Sequence, residues 1–143
     1  MLAKTQIDDR DMRIIRSVYC DQLAAVRLPD GMTNWFPIKR GVRQGCVMSP
    51  DLFNLYSEMI LRELVSIEEG ILINGVRINN LRYADDTVLI AMSEEGLQRL
   101  FNVVVAGSEQ LGLSVNVKKT KVMTISKSKV PPRCHLRHGT EDI

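Results

Sequence analysis

Two adjacent carboxylates, Asp85 and Asp86, interrupt a stretch of the chain that is otherwise apolar and rich in β-forming residues. The stretch runs from Leu81 to Ala91. Paired acids between two strands are expected at the tip of a hairpin, where they face solvent at a fixed position. Carboxylate oxygens held in this way are the ligands that a hard divalent cation such as Mg²⁺ requires. The pair predicts a metal site, although Asp is also a common residue in ordinary turns.

The segment before the acids has the pattern of a second hairpin. Asn74-Gly75 tolerates the positive φ angles of a two-residue turn, and the apolar runs 71–73 and 76–78 flank it. The run from Thr87 to Ala91 predicts the strand that follows the acids.

A loop with two glycines, Gly41 and Gly45, precedes a predicted helix with Ser49 as N-cap and Pro50 at its first position. A helix N-terminus carries partial positive charge, so the loop is a candidate seat for a phosphate or a nucleic-acid backbone. A loop with this glycine spacing is also found as a plain turn.

Helical spacing of apolar residues predicts two more helices. Asp8 or Asp9 is expected to cap one, which ends near Cys20, and Ser93 to cap the other, which stops at Gly112. Further strands are predicted over residues 23–28, 33–38, 113–117 and 121–126. These elements predict an α+β fold, an antiparallel sheet with helices on one face. We expect one domain over 1–127, followed by a basic, disordered tail over 128–143.

Composition limits the classes of protein to consider. The chain has 143 residues, 45% of them hydrophobic, which is enough for one core. Net charge is only +2, yet residues 118–137 contain seven Lys or Arg and no acid. This basic segment is compatible with phosphate contacts or with a solvated chain end.

Cysteine spacing and hydropathy predict the compartment. The three cysteines are far apart, so neither a disulfide framework nor a local zinc site is encoded. No apolar run approaches about 18 residues, so a membrane span is not expected. We expect an intracellular protein, nuclear or cytoplasmic, that is not secreted.

Three blocks of sequence together resemble the reverse transcriptase family, specifically its non-LTR retrotransposon type. The blocks are residues 41–54, residues 83–86 (Tyr-Ala-Asp-Asp) and residues 116–121 (Asn-Val-Lys-Lys-Thr-Lys). They occur in the family's order and at compatible separations, and the resemblance covers roughly residues 12–127. It implies a partial polymerase palm.

The resemblance implies RNA-directed DNA polymerisation with an RNA template, a DNA primer and a dNTP as partners. Two Mg²⁺ or Mn²⁺ ions would assist attack of the primer 3′-hydroxyl on the α-phosphate. By the same resemblance, Asp85 and Asp86 are catalytic metal ligands. Residues expected to contact substrates are Arg43, Gln44, Gly45, Tyr83 and Ala84. Lys119 is expected to protonate the departing pyrophosphate, with Lys118 and Lys121 as alternatives.

The chain also departs from the family pattern. The resemblance implies another catalytic Asp on an upstream strand, and fingers and thumb segments of a longer polyprotein, none of which this sequence supplies. We therefore expect the 143-residue chain to be inactive alone. One alternative is a non-catalytic nucleic-acid-binding remnant, whose salt-sensitive binding survives Asp85→Ala. Another is a truncated retroelement relic that is poorly soluble because it exposes apolar surface.

Overall fold

The computed structural model describes residues 7–143. Three α-helices lie in this range: α1 (Asp9–Tyr19), α2 (Ser49–Leu61) and α3 (Glu94–Gln110). The ten β-strands are β1 (Leu23–Ala24), β2 (Arg27–Leu28), β3 (Gly31–Met32), β4 (Phe36–Pro37), β5 (Ile71–Ile73), β6 (Val76–Ile78), β7 (Asn80–Tyr83), β8 (Asp86–Leu89), β9 (Arg137–His138) and β10 (Glu141–Asp142). The chain forms two compact units that divide between Phe53 and Asn54, inside α2.

The unit before Asn54 is built from α1, a hairpin and a loop. The Asp8 carboxylate accepts hydrogen bonds from the backbone N–H groups of Arg10 and Asp11 at 2.7 and 2.9 Å, which confirms the predicted cap of α1. In the hairpin, β1 pairs with β4 and β2 pairs with β3, so the predicted long strands are interrupted. The only tryptophan, Trp35, follows β3 and is 66% exposed.

The unit after Phe53 holds the main apolar core. Its buried members lie on α2, on the 3₁₀ helix Arg62–Ser66 that continues it, and on α3. They are Ile60, Leu61, Leu64 and Leu100. Leu64 and Leu100 have no exposed surface, and Leu89 of β8 packs against the group. The core therefore links the helices to the strand that follows the paired acids.

Antiparallel pairing and an α+β architecture are confirmed, but the strands do not join into one sheet. Each of the ten strands in residues 7–143 pairs with a single partner, which gives five two-stranded ladders. The ladders are two to four residues long, and such short strands offer few backbone groups for lateral pairing.

The strands predicted over 113–117 and 121–126 are wrong. Exposure still alternates along both stretches, as in a strand, but neither belongs to a ladder in the range that the structure describes. Instead, Asn116 starts a turn in which its carbonyl oxygen accepts from the N–H groups of Lys119 and Thr120, each at 3.0 Å. Alternation predicts which side chains are covered, whereas a strand also needs a partner.

The chain end at 128–143, for which composition predicts disorder, includes the β9–β10 hairpin. Leu136 is only 3% exposed there, and the His138 ring meets the edge of Phe101 with centroids 6.0 Å apart. The side chain of Gln98 on α3 also exchanges two hydrogen bonds, each of 2.8 Å, with the backbone of Arg137, so ring contact and hydrogen bonds together hold the hairpin.

None of the helices in residues 7–143 is long and apolar enough to span a bilayer.

Candidate functional site

The paired acids lie at the tip of the β7–β8 hairpin, as the sequence predicts. Tyr83 pairs with Asp86, so the turn consists of Ala84 and Asp85 alone. Ala84 has φ = 52°, a left-handed value that is unusual for a residue with a Cβ. All four residues are exposed, and Tyr83 is 84% exposed. The hairpin therefore presents two carboxylates at consecutive positions in solvent.

The two faces of this hairpin have different surroundings. Residues opposite one another in a ladder share a face, so Tyr83 and Asp86 project to one side and Arg82 to the other. Arg82 forms an ion pair with Glu58 of α2, and its Nε donates to Asn80 Oδ1 at 2.9 Å. With Leu89 also on this second face, the hairpin is anchored by one face while the acid-bearing face stays open.

A buried amide, Asn79, which sequence analysis did not identify, fixes the start of the hairpin. Its Nδ2 donates to the backbone carbonyl oxygen of Leu64 at 2.7 Å. The backbone carbonyl oxygen of Asn79 accepts from the Ile90 N–H at 2.8 Å. Asn79 is only 7% exposed and lies between β6 and β7. The available signal was a polar pair, Asn79-Asn80, between two apolar strands.

The donor set at the tip fits a hard cation. Asp85 and Asp86 offer up to four carboxylate oxygens and no soft ligand, which suits Mg²⁺ or Mn²⁺ rather than a thiolate-binding metal. Within residues 7–143, no group of three or more His, Cys, Asp or Glu side chains is arranged to hold a metal. The hairpin tip thus brings two carboxylates together, which is fewer than the three side chains of such a group.

The predicted substrate loop forms two consecutive turns. The Cys46 N–H donates to the carbonyl oxygen of Arg43 at 3.3 Å, and the Ser49 N–H donates to that of Cys46 at 3.1 Å. Gly45 has φ = 78°, so glycine relieves strain there. Arg43, Gln44 and Gly45 are exposed.

Ser49 does not cap α2 as predicted but is its first residue. Its hydroxyl donates to the carbonyl oxygen of Arg43, and its Oγ lies 2.9 Å from Tyr19 Oη. The side chain is thus bonded to the preceding turn rather than to the helix N–H groups. Tyr19, on α1, was not identified from the sequence, because its spacing there marks only an apolar helix face.

Cys46 lies in the same loop, and the pKa of its thiol is lowered. The main cause is a hydrogen bond from the Tyr19 hydroxyl, whose Oη is 3.4 Å from Sγ, followed by the backbone N–H of Met48. Desolvation acts in the opposite direction. The loop therefore favours thiolate more than a free cysteine does.

Lys119 lies in the exposed turn that begins at Asn116, with Lys118 and Lys121 also exposed. The Lys119 N–H donates to Asn116 Oδ1 at 3.2 Å, so the amide side chain supports the turn. The structure therefore groups Tyr83, Ala84, Asp85 and Asp86 on one hairpin, with Lys119 on a separate turn of the same unit. Arg43, Gln44 and Gly45 belong to the other unit.

The chain is similar to proteins of one known family. The family described as "Reverse transcriptase (RNA-dependent DNA polymerase)" matches residues 2–136. The "Retrovirus-related Pol polyprotein from type-1 retrotransposable element R2" of Nasonia vitripennis is 37% identical over 94 residues, which is 66% of this chain and 9% of that protein.

Two further relatives have similar descriptions. The type-1 R2 Pol polyprotein of Popillia japonica is 30% identical over 129 residues, 89% of this chain and 18% of that protein. The type-2 element R2DM polyprotein of Drosophila melanogaster is 40% identical over 80 residues, 56% of this chain and 8% of that protein. The chain thus spans less than a fifth of each of these relatives. Because the family match covers residues 2–136, the chain belongs to the reverse transcriptase (RNA-dependent DNA polymerase) family, and its R2 relatives assign it to the non-LTR type.

Proposed function

We propose that this chain contributes metal-binding carboxylates, Asp85 and Asp86, to RNA-directed DNA polymerisation. The observation that carries the proposal is the β7–β8 hairpin, which presents both acids in solvent while Arg82 and Leu89 anchor its other face. Reverse transcriptases use divalent metal ions, and Mg²⁺ or Mn²⁺ fits the donor set. The substrates would be an RNA template, a DNA primer and a dNTP.

In the proposed reaction, the primer 3′-oxygen forms a bond to the α-phosphorus of the dNTP. The bond from that phosphorus to the bridging oxygen of the β-phosphate breaks, and pyrophosphate leaves. Asp85 and Asp86 would hold divalent ions through carboxylate oxygens. When bound, such ions would supply a stronger nucleophile and neutralise the leaving oxygen. Tyr83 and Ala84 contact the primer end.

The loop and the lysine turn take the remaining roles in this proposal. Gln44 and Gly45 contact the templating base pair and the incoming sugar, because a residue without a Cβ allows close approach of the backbone. Arg43 beside them offers positive charge to phosphate. Lys119 donates a proton to the departing pyrophosphate, and Lys118 and Lys121 are the alternatives to it.

Metal binding tests the role of the acids. Asp30 is a matched control, because it lies in a two-residue turn with Pro29 and is a single exposed carboxylate at a hairpin tip. We expect Mn²⁺ to bind the purified chain, and electron paramagnetic resonance measures this binding. Asp85→Asn should weaken that binding about tenfold, since one of two anionic ligands is lost, and Asp30→Asn should not change it. Equal effects of the two variants would contradict the proposal.

The homologous R2 proteins are polyproteins, and we propose that the missing fingers and thumb segments lie in such a longer chain. Inactivity of the 143-residue polypeptide alone stays a prediction. The hairpin has two carboxylates, whereas the resemblance implies a further catalytic Asp beside them. Primer extension on an RNA template with purified polypeptide measures this, and sustained, template-dependent dNTP incorporation would contradict it.

A second candidate function is nucleic-acid binding without catalysis. The observation that favours it is the basic segment 118–137, whose seven Lys and Arg side chains are all exposed. Lys39, Arg40 and Arg43 add exposed positive charge in the other unit. This candidate predicts duplex binding that weakens steeply with salt and is unchanged in Asp85→Ala. The metal-site proposal instead predicts that duplex binding depends on Mg²⁺ and that Asp85→Ala removes this dependence.

A further inference from the structure

A single hydroxyl joins helix α1 to the loop that precedes α2. Tyr19, the last residue of α1, places Oη 3.4 Å from Cys46 Sγ and 2.9 Å from Ser49 Oγ. Ser49 donates in turn to the carbonyl oxygen of Arg43, which also accepts from the Cys46 N–H. The hydroxyl is therefore connected to both ends of the Arg43–Cys46 turn.

Counting protons shows how much depends on this hydroxyl. The single hydroxyl proton of Ser49 is used on the carbonyl oxygen of Arg43. The proton of the Tyr19–Ser49 bond must then come from Tyr19, whereas the Tyr19–Cys46 bond can also be made by the thiol proton of Cys46. Ser49 is only 7% exposed, so water cannot readily replace a lost partner.

The turn has little else to hold it. The backbone hydrogen bond that closes it, from the Cys46 N–H to the carbonyl oxygen of Arg43, is 3.3 Å long, which is longer than usual. Gln44 and Gly45, between the bonded ends, are exposed. A flexible turn of this kind loses conformational entropy when it binds a ligand, and a tether that pre-orders it lowers that cost.

Resting on the proposed function, in which this turn binds substrate, we propose that Tyr19 is a positioning residue. Its hydroxyl, acting through Ser49 and Cys46, holds the Arg43–Cys46 turn in the conformation that presents Gln44 and Gly45 to the template and the incoming nucleotide. Tyr19 itself touches neither.

Cys46 provides a direct measure of the tether. The Tyr19 hydroxyl is the main group that lowers the pKa of this thiol, and the backbone N–H groups of Met48 and Ser49 also lower it. No charged side chain contributes to the shift. Tyr19→Phe removes the donor and retains the ring, so the pKa of Cys46 should rise toward its ordinary value.

The experiment compares Tyr19→Phe with Tyr56→Phe. Tyr56 is a matched control, because it is also partly buried and its hydroxyl is also hydrogen-bonded, in its case to the backbone carbonyl oxygen of Leu111. The rate of iodoacetamide alkylation at Cys46 is measured against pH, with the labelled peptide quantified by mass spectrometry. Affinity for an RNA–DNA template-primer duplex is measured at one salt concentration in the same variants and in Gln44→Ala.

We expect Tyr19→Phe to move the alkylation midpoint to higher pH and to weaken duplex binding about three- to tenfold, the effect of one hydrogen bond. Tyr56→Phe should leave the Cys46 midpoint unchanged. An unchanged midpoint in Tyr19→Phe overturns the part of the tether that acts through Cys46. Duplex binding that falls in Gln44→Ala but not in Tyr19→Phe overturns the positioning role.

Failure of the proposed function has a different signature. If the Cys46 midpoint moves in Tyr19→Phe while neither that variant nor Gln44→Ala weakens duplex binding, the tether is present but the turn does not bind substrate. That result overturns the substrate role assigned to Gln44 and Gly45, and with it the positioning role of Tyr19.

Discussion

The β5–β6 and β7–β8 hairpins follow one another in the chain and both have two-residue turns, yet their turns differ in kind. Asn74 and Gly75 both have positive φ, 50° and 80°, and both residue types accept such angles readily. In the second hairpin, Ala84 has φ = 52° with a Cβ that disfavours it. The relaxed turn carries no acid at its tip, whereas the strained turn carries the paired acids. Strain of this kind is characteristic of functional sites, where surrounding structure must compensate for it.

Substitution in the apolar core that supports the strained hairpin should have the largest effect on stability. Leu100 has no exposed surface and belongs to the core against which Leu89 of β8 packs. Leu100→Ala should lower the free energy of unfolding by about 2–5 kcal/mol, because it removes buried methyl groups and leaves a cavity. Urea denaturation followed by circular dichroism measures this. Val88 lies on the open face of the hairpin and is 56% exposed. Val88→Ala should therefore change the free energy of unfolding by less than about 0.5 kcal/mol.

Substitution at the junction between the two hairpins should have the next largest effect on stability. Asn79→Ala removes the Nδ2 donor and leaves the buried carbonyl oxygen of Leu64 without this partner. We expect a loss of about 1–3 kcal/mol in the free energy of unfolding. Asn34→Ala, at an exposed amide, is the control and should cost less. Equal losses in the two variants would show that burial of the amide is not what matters.

Relief of turn strain should have the smallest effect and the opposite sign. Ala84→Gly should raise the free energy of unfolding by about 0.5–1 kcal/mol, because glycine adopts positive φ at little cost and only part of this gain is offset by chain entropy. Asn74→Gly should change it by only a few tenths of a kcal/mol, since Asn already tolerates the left-handed region. Thermal unfolding of the two variants compares the turns directly. A destabilised Ala84→Gly variant would contradict the interpretation of Ala84 as strained.

Local signals in the sequence were sufficient for much of the fold. Asp8 and Ser93 have the side-chain oxygen that a helix N-terminus needs, and both cap as predicted. Gly112 has φ = 72° just past α3, as a helix stop requires. The Asn74-Gly75 turn and both strands beside it occur as predicted. Each of these features depends on residues within a few positions of one another.

Features that depend on distant partners could not be read in this way. The role of Asn79 depends on the Leu64 carbonyl oxygen, 15 positions away, and that of Tyr19 on Ser49, 30 positions away. The same reason applies to residues 113–126, where alternation was present but a pairing strand was not, within the residues described. For the candidate site, the acids were predictable because they are adjacent in sequence. The substrate contacts of Arg43, Gln44 and Gly45 remain predictions.

The position of Trp35 determines what optical spectroscopy can report about this chain. It is the only indole, it is 66% exposed, and it lies in the unit that ends at Phe53. Tryptophan fluorescence will therefore follow the surroundings of the β1–β4 hairpin, and disruption of the core around Leu100 need not quench it. A second indole introduced at Tyr83, whose ring is already in solvent, would give the acid-bearing hairpin an emission signal of its own.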